Sequence, residues 1–123
     1  MDTSLMLRTS SVLFAITAVG GLVMAAIRFG GKPHPPSWLA MVHGLLAGAG
    51  LTLLAYAYFV SSVPTFAAVA LLLFVIAALG GVVLNLGYHL KDMPLPIWLM
   101  VTHAAAAVVA FLLLALAAWG GRT

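Results

Sequence analysis

The sequence contains no cysteine and no glutamate, and its only acidic residues are Asp2 and Asp92. Lack of cysteine excludes disulfides, thiolate chemistry, thiolate metal sites and covalent haem attachment through a C-x-x-C-H motif. Charge of either sign is scarce. Charged residues make up 6% of the chain, against about 25% in a soluble domain. The five Lys/Arg residues give a net charge of +3. They are too few for a nucleic-acid footprint and read instead as anchors at membrane ends.

What the chain has in abundance is apolar side chains, 65% of its 123 residues. A soluble fold of this composition would expose large apolar patches, whereas lipid accepts them. Crossing roughly 30 Å of hydrocarbon takes about 20 apolar residues in a helix. Four segments qualify, at about 5–29, 37–60, 65–89 and 95–119. The breaks, GGKPHPPS, SSVPT and HLKDMPLP, each contain proline, which disfavours helix at the residue before it. Short breaks make sequential helices antiparallel neighbours. Trp38, Trp98 and Trp119 fall at span ends, where indoles prefer the headgroup layer. Arg8 before an apolar run resembles a signal-peptide n-region, but that run is long and has a later counterpart, so it is read as a retained span.

The counterpart arises because a shift of sixty residues superposes the halves without a gap. Fifteen identities fall in the forty-seven positions from 14 to 60. They include Phe14/Phe74, Gly20/Gly80, Gly21/Gly81, Pro36/Pro96, Trp38/Trp98 and His43/His103. The expected fold is an all-α membrane domain spanning 1–123. It is a four-transmembrane-helix up-down bundle of two tandem two-helix repeats, about 5–60 and 65–120. Each repeat contributes two spans, so a pseudo-twofold axis along the membrane normal should relate them.

In such a bundle His43 and His103 lie on diagonal helices, whose axes are roughly 13 Å apart. They sit roughly 9–12 Å inside their spans, where an imidazole must be neutral and partnered. Neutral imidazole is a metal ligand. One and two turns along their stripes stand Ala47 and Gly50, and Ala107 and Ala110. These small residues allow close helix packing or space for a flat ligand. The pairs Gly20-Gly21 and Gly80-Gly81 fall at the same depth on the other two helices. The stripe beyond them reaches Arg28 in the first half and Asn85, Tyr88 and His89 in the second. Arg28, Lys32, Asn85 and Tyr88 are candidates for binding two carboxylates there.

This pattern of one histidine on each of two alternate helices, with glycines on the others, resembles the di-histidine b-type cytochromes of membranes. The resemblance covers the whole bundle as a pattern. It implies one haem b with His43 and His103 as axial ligands and the glycine pairs against the macrocycle. Cytochrome b of quinol-oxidising complexes carries two histidines per ligand helix for two haems, whereas this chain carries one. The implied activity is electron transfer with a quinone or a partner redox protein. The competing readings are a non-redox accessory or scaffold subunit of a larger membrane complex and a pigment-binding membrane protein; as partners, the bilayer and either a homo-oligomer or a larger complex are open.

Other residues carry less. His34, in the proline-rich first loop, is expected to be solvated. His89 could serve as an alternative ligand, but its counterpart is Phe29. Small four-span multidrug transporters couple to protons through an intramembrane glutamate, which is lacking here. The spans also hold no carboxylate and no nucleophile–base pair for hydrolysis. Arg28, Lys32 and Lys91 outweigh Arg8 and Arg122. This places the first and third loops in the cytoplasm, of a bacterial inner membrane, with both termini outside.

Overall fold

The computed structural model describes residues 2–120; Arg122, used above for orientation, lies outside them. The described chain is all helical: α1 Thr3–Phe29, α2 Ser37–Val60, α3 Thr65–Leu84 and α4 Ile97–Trp119, with a π-helical turn, Asn85–His89, continuing α3. All four are long and apolar enough to cross a membrane, the third as Thr65–His89, which supports an integral membrane protein. The expected spans thus hold to within two residues at each end.

Local chemistry accounts for the ends. Asp2 caps α1 by accepting the Leu5 amide at 2.7 Å, as a carboxylate at a helix start does. Helices α2, α3 and α4 begin on Pro36, Pro64 and Pro96. Proline has no N–H to leave unpaired there. Gly31, at φ 106°, takes the left-handed conformation that turns the chain after α1.

Helix α1 packs on α2 and α4, and α3 packs on the same two helices. This leaves α1 and α3 on one diagonal and α2 and α4 on the other. In the half of the bundle near the termini, the core centres on Phe14 and Phe74, stacked with ring centroids 3.7 Å apart and planes 5° from parallel. Leu54 and Leu114 beside them are fully buried. Gly50 admits the stack, since a β-carbon there would lie 3.0 Å from the Phe14 ring. Buried Ser10 donates to the Gly50 carbonyl at 2.9 Å.

The outer surface is apolar. Leu22, Leu45, Leu79 and Leu112, one per helix, are 70, 69, 63 and 57% exposed. Exposed leucine on every helix suits a lipid solvent.

Candidate functional site

His43 and His103 are each the seventh residue of their helix, counted from Ser37 and Ile97. They therefore share one depth, about 9 Å from the helix start. Their rings approach each other edge-on across the α2–α4 diagonal, with centroids 6.3 Å apart and planes at 62°. Both are half-buried.

Each imidazole is oriented by the neighbouring helix of its own hairpin. His43 Nδ1 lies 2.9 Å from the Thr17 carbonyl, and His103 Nδ1 lies 2.7 Å from the Ala77 carbonyl. Thr17 and Ala77 are themselves sixty residues apart, so the two halves make the same bond. A carbonyl only accepts, so Nδ1 carries the proton and Nε2 keeps its lone pair. Among the described residues neither Nε2 has a hydrogen-bond partner. The sequence could flag the histidines but not these acceptors, because a backbone carbonyl leaves no signature in residue type.

The glycine pairs meet the histidines. A β-carbon on Gly21 would stand 3.0 Å from His43 Cε1, and one on Gly81 would stand 3.2 Å from His103 Cε1. The pairs are therefore at the expected level, and what they make room for is the imidazole itself. β-Carbons on Gly20 and Gly80 would stand slightly farther out, 3.9 and 3.7 Å from the nearest imidazole atoms. On the terminus side of the histidines, the space next to Gly50 is taken by the Phe14 ring. Gly50 thus serves aromatic packing and leaves no room there for a flat ligand.

On that side the two proline-rich loops are joined. Arg28 Nε donates to the Leu95 carbonyl at 3.0 Å, and the Leu95 amide donates to the Pro33 carbonyl at 3.0 Å. Lys32 is exposed, while Asn85 and Tyr88 are half-buried in the π-helical turn. Their side chains make no hydrogen bond among the described residues. A continuous α-helix would have kept Asn85, Tyr88 and His89 on the Gly81 stripe. The wider turn, closed by Leu90 N–H to Asn85 O at 2.8 Å, departs from that register.

His34 is not simply solvated. Its Nε2 donates to Asp92 Oδ1 at 2.6 Å and its Nδ1 to the Pro35 carbonyl at 3.1 Å. Two acceptors facing two ring nitrogens are both satisfied only by the charged ring. The Asp92 bond, followed by the Pro35 carbonyl, raises its pKa above the ordinary histidine value. The ring stacks on His89 at 4.5 Å. His89 is buried, 6% exposed, with Ser37 Oγ at a long 3.4 Å from its Nε2.

No protein-family profile matches this chain, and neither curated proteins nor solved structures show a significant similarity to it. The functional reading therefore rests on the geometry of the two histidines and on the sequence pattern around them.

Proposed function

We propose that this chain is a b-type cytochrome of the bacterial cytoplasmic membrane. It would bind one haem b between α2 and α4 through His43 and His103, and pass electrons to or from a quinone or a partner redox protein. The observation that carries the reading is the pair of apposed imidazoles with their Nε2 lone pairs unpartnered. Ligating histidines are characteristically held by a hydrogen bond from the other ring nitrogen, and Thr17 and Ala77 supply that bond. A metal-bound imidazole nitrogen lies about 2 Å from its ion, and the ring centre about 1 Å beyond, so one ion held by both rings would need their centres no more than about 6 Å apart. The observed separation is 6.3 Å.

Bound there, haem iron supplies a reversible one-electron couple. The chain's residues do the rest. Gly20, Gly21, Gly80 and Gly81 keep α1 and α3 close to the imidazoles. Arg28, Lys32, Asn85 and Tyr88 are at the loop end, where propionates would need cations and donors. Arg28 uses Nε on Leu95, and its terminal nitrogens have no partner among the described residues. The apolar bundle excludes water. A pseudo-twofold axis along the membrane normal accords with equivalent residues meeting each other, Phe14 on Phe74 and His43 opposite His103. In this reading the first and third loops are cytoplasmic.

The test is the absorption spectrum of protein purified from haem-replete cells. Wild type should show a reduced-minus-oxidised b-type spectrum with one haem per chain. His43→Asn and His103→Asn keep a donor near the Nδ1 position and lose Nε2. Each should fold and lose the spectrum. A colourless wild type, or asparagine variants that keep the spectrum, would overturn the reading, and a chlorophyll-type extract would redirect it to pigment binding.

A further inference from the structure

At the opposite end of the bundle, Arg8 is held in a way that helix packing does not require. Its Nε donates to the Ala118 carbonyl at 3.1 Å. Its guanidinium carbon lies 4.7 Å from the Trp119 ring centroid, within cation–π range. Trp119 is fixed in turn, because its Nε1 donates to Ser11 Oγ at 2.9 Å. Ser11 Oγ donates to the Arg8 carbonyl at 2.7 Å, which closes the circuit. An arginine free to snorkel would extend into water; this one is tied by its stem and by its face.

Two consequences follow. The terminal nitrogens of Arg8 have no partner among the described residues, whose one ion pair, His34–Asp92, is at the other end of the bundle. Arg8 also lines a groove of about 280 Å³ that opens between α1, the α2–α3 turn and the end of α4. Its other lining residues include the hydroxyl-bearing Thr3, Ser4 and Ser62 and the apolar Ala117 and Ala118. The sixty-residue repeat shows that the bundle can close without this arrangement. The counterparts of Arg8 and Ser11 are Ala68 and Leu71, and Phe59 takes the place of Trp119.

We infer that this groove is a phospholipid headgroup site, in which Arg8 binds the phosphate of an anionic phospholipid. Guanidinium offers paired donors matched to phosphate oxygens. The hydroxyls complete a small set of donors around a tetrahedral anion. Trp119 marks the level, since an interfacial indole sits in the headgroup layer, where lipid phosphates are and soluble anions must compete with them. Ala117 and Ala118 suit the glycerol and upper acyl chain of a lipid and have no role for free phosphate.

The experiment is native mass spectrometry of the full chain in detergent, titrated with phosphatidylglycerol and, separately, with inorganic phosphate. Wild type should retain one phosphatidylglycerol, with retention weakened at least tenfold in Arg8→Gln and partly kept in Arg8→Lys. Ser62→Leu fills the groove without touching Arg8 and should weaken retention similarly, which keeps the test decisive if Arg8→Gln misfolds. Lys91→Gln, at the other end, should retain lipid as wild type does. Equal retention by wild type, Arg8→Gln and Ser62→Leu overturns the proposal. So does displacement of the lipid by millimolar inorganic phosphate, which would make the ligand a free anion.

Discussion

The His43 imidazole leans on the backbone of Gly21 so closely that a β-carbon there would stand 3.0 Å from Cε1. The ring has little freedom to retreat, because its Nδ1 is bonded to Thr17 on the same helix as Gly21. Gly21→Ala should therefore push the ring from its place. Overpacking of this kind typically costs about 1–3 kcal/mol. Gly81→Ala, with 3.2 Å to His103 Cε1, should act in the same direction and more mildly. The check is haem retention and thermal denaturation in detergent, with Gly21→Ala the more impaired. Equal, wild-type behaviour of both would mean that the imidazoles are not seated as described.

The Phe14–Phe74 stack makes a prediction independent of any cofactor. Gly50→Ala would bring a methyl within 3.0–3.2 Å of three Phe14 ring atoms, and the Phe74 ring behind leaves no room to yield. A loss of about 1–3 kcal/mol is expected, measured by denaturation of the reconstituted protein. Gly44→Ala, whose β-carbon would meet nothing within 4 Å, is the matched control and should be neutral.

The loop end should respond to pH through His34. Its pKa is raised from 6.5, first by the Asp92 hydrogen bond and then by the Pro35 carbonyl. A raised folded-state value means the bond's contribution is full below the unfolded value and is lost as pH rises through the folded one. The link between the two loops should thus loosen as pH rises through the raised folded-state value, above 6.5. Asp92→Asn removes the leading cause, so the His34 titration should move to lower pH and the link should weaken under acid conditions too. NMR titration of the histidine Cε1 protons would show it. An unchanged His34 midpoint in Asp92→Asn would contradict the assignment.

Much of this architecture was legible in the sequence, for particular reasons. The spans could be read because proline punctuates every break and lipid imposes a length. His43, His103 and the glycine pairs could be read because a gapless repeat put rare residues in register. The hydrogen bonds to Thr17 and Ala77 could not, since they end on backbone. Nor could the meeting of His34 with Asp92, 58 residues apart, because it depends on how two irregular loops fold over each other. The π-helical turn left no period to detect, and it changed the setting of Asn85, Tyr88 and His89. Gly50 resembled a space-making residue for a ligand only while its neighbour Phe14 was unknown.

His89 offers the sharpest check on which histidines serve as ligands. It is buried in a π-helical turn, a feature frequent at functional sites, and it stacks on His34. Its one described side-chain contact by hydrogen bonding is the 3.4 Å approach of Ser37, too long to be strong. Its sequence counterpart in the first half is Phe29, which is exposed, so the repeat does not require an imidazole at this register. If His43 and His103 are the ligand pair, His89→Phe keeps the stacking partner of His34 and leaves both Nε2 lone pairs untouched. The variant should then hold one haem per chain with an unshifted b-type spectrum, and its stability should stay within about 1 kcal/mol of wild type. Loss of the low-spin spectrum in His89→Phe, with His103→Asn still coloured, would transfer one axial position to His89 and move the haem toward the loops.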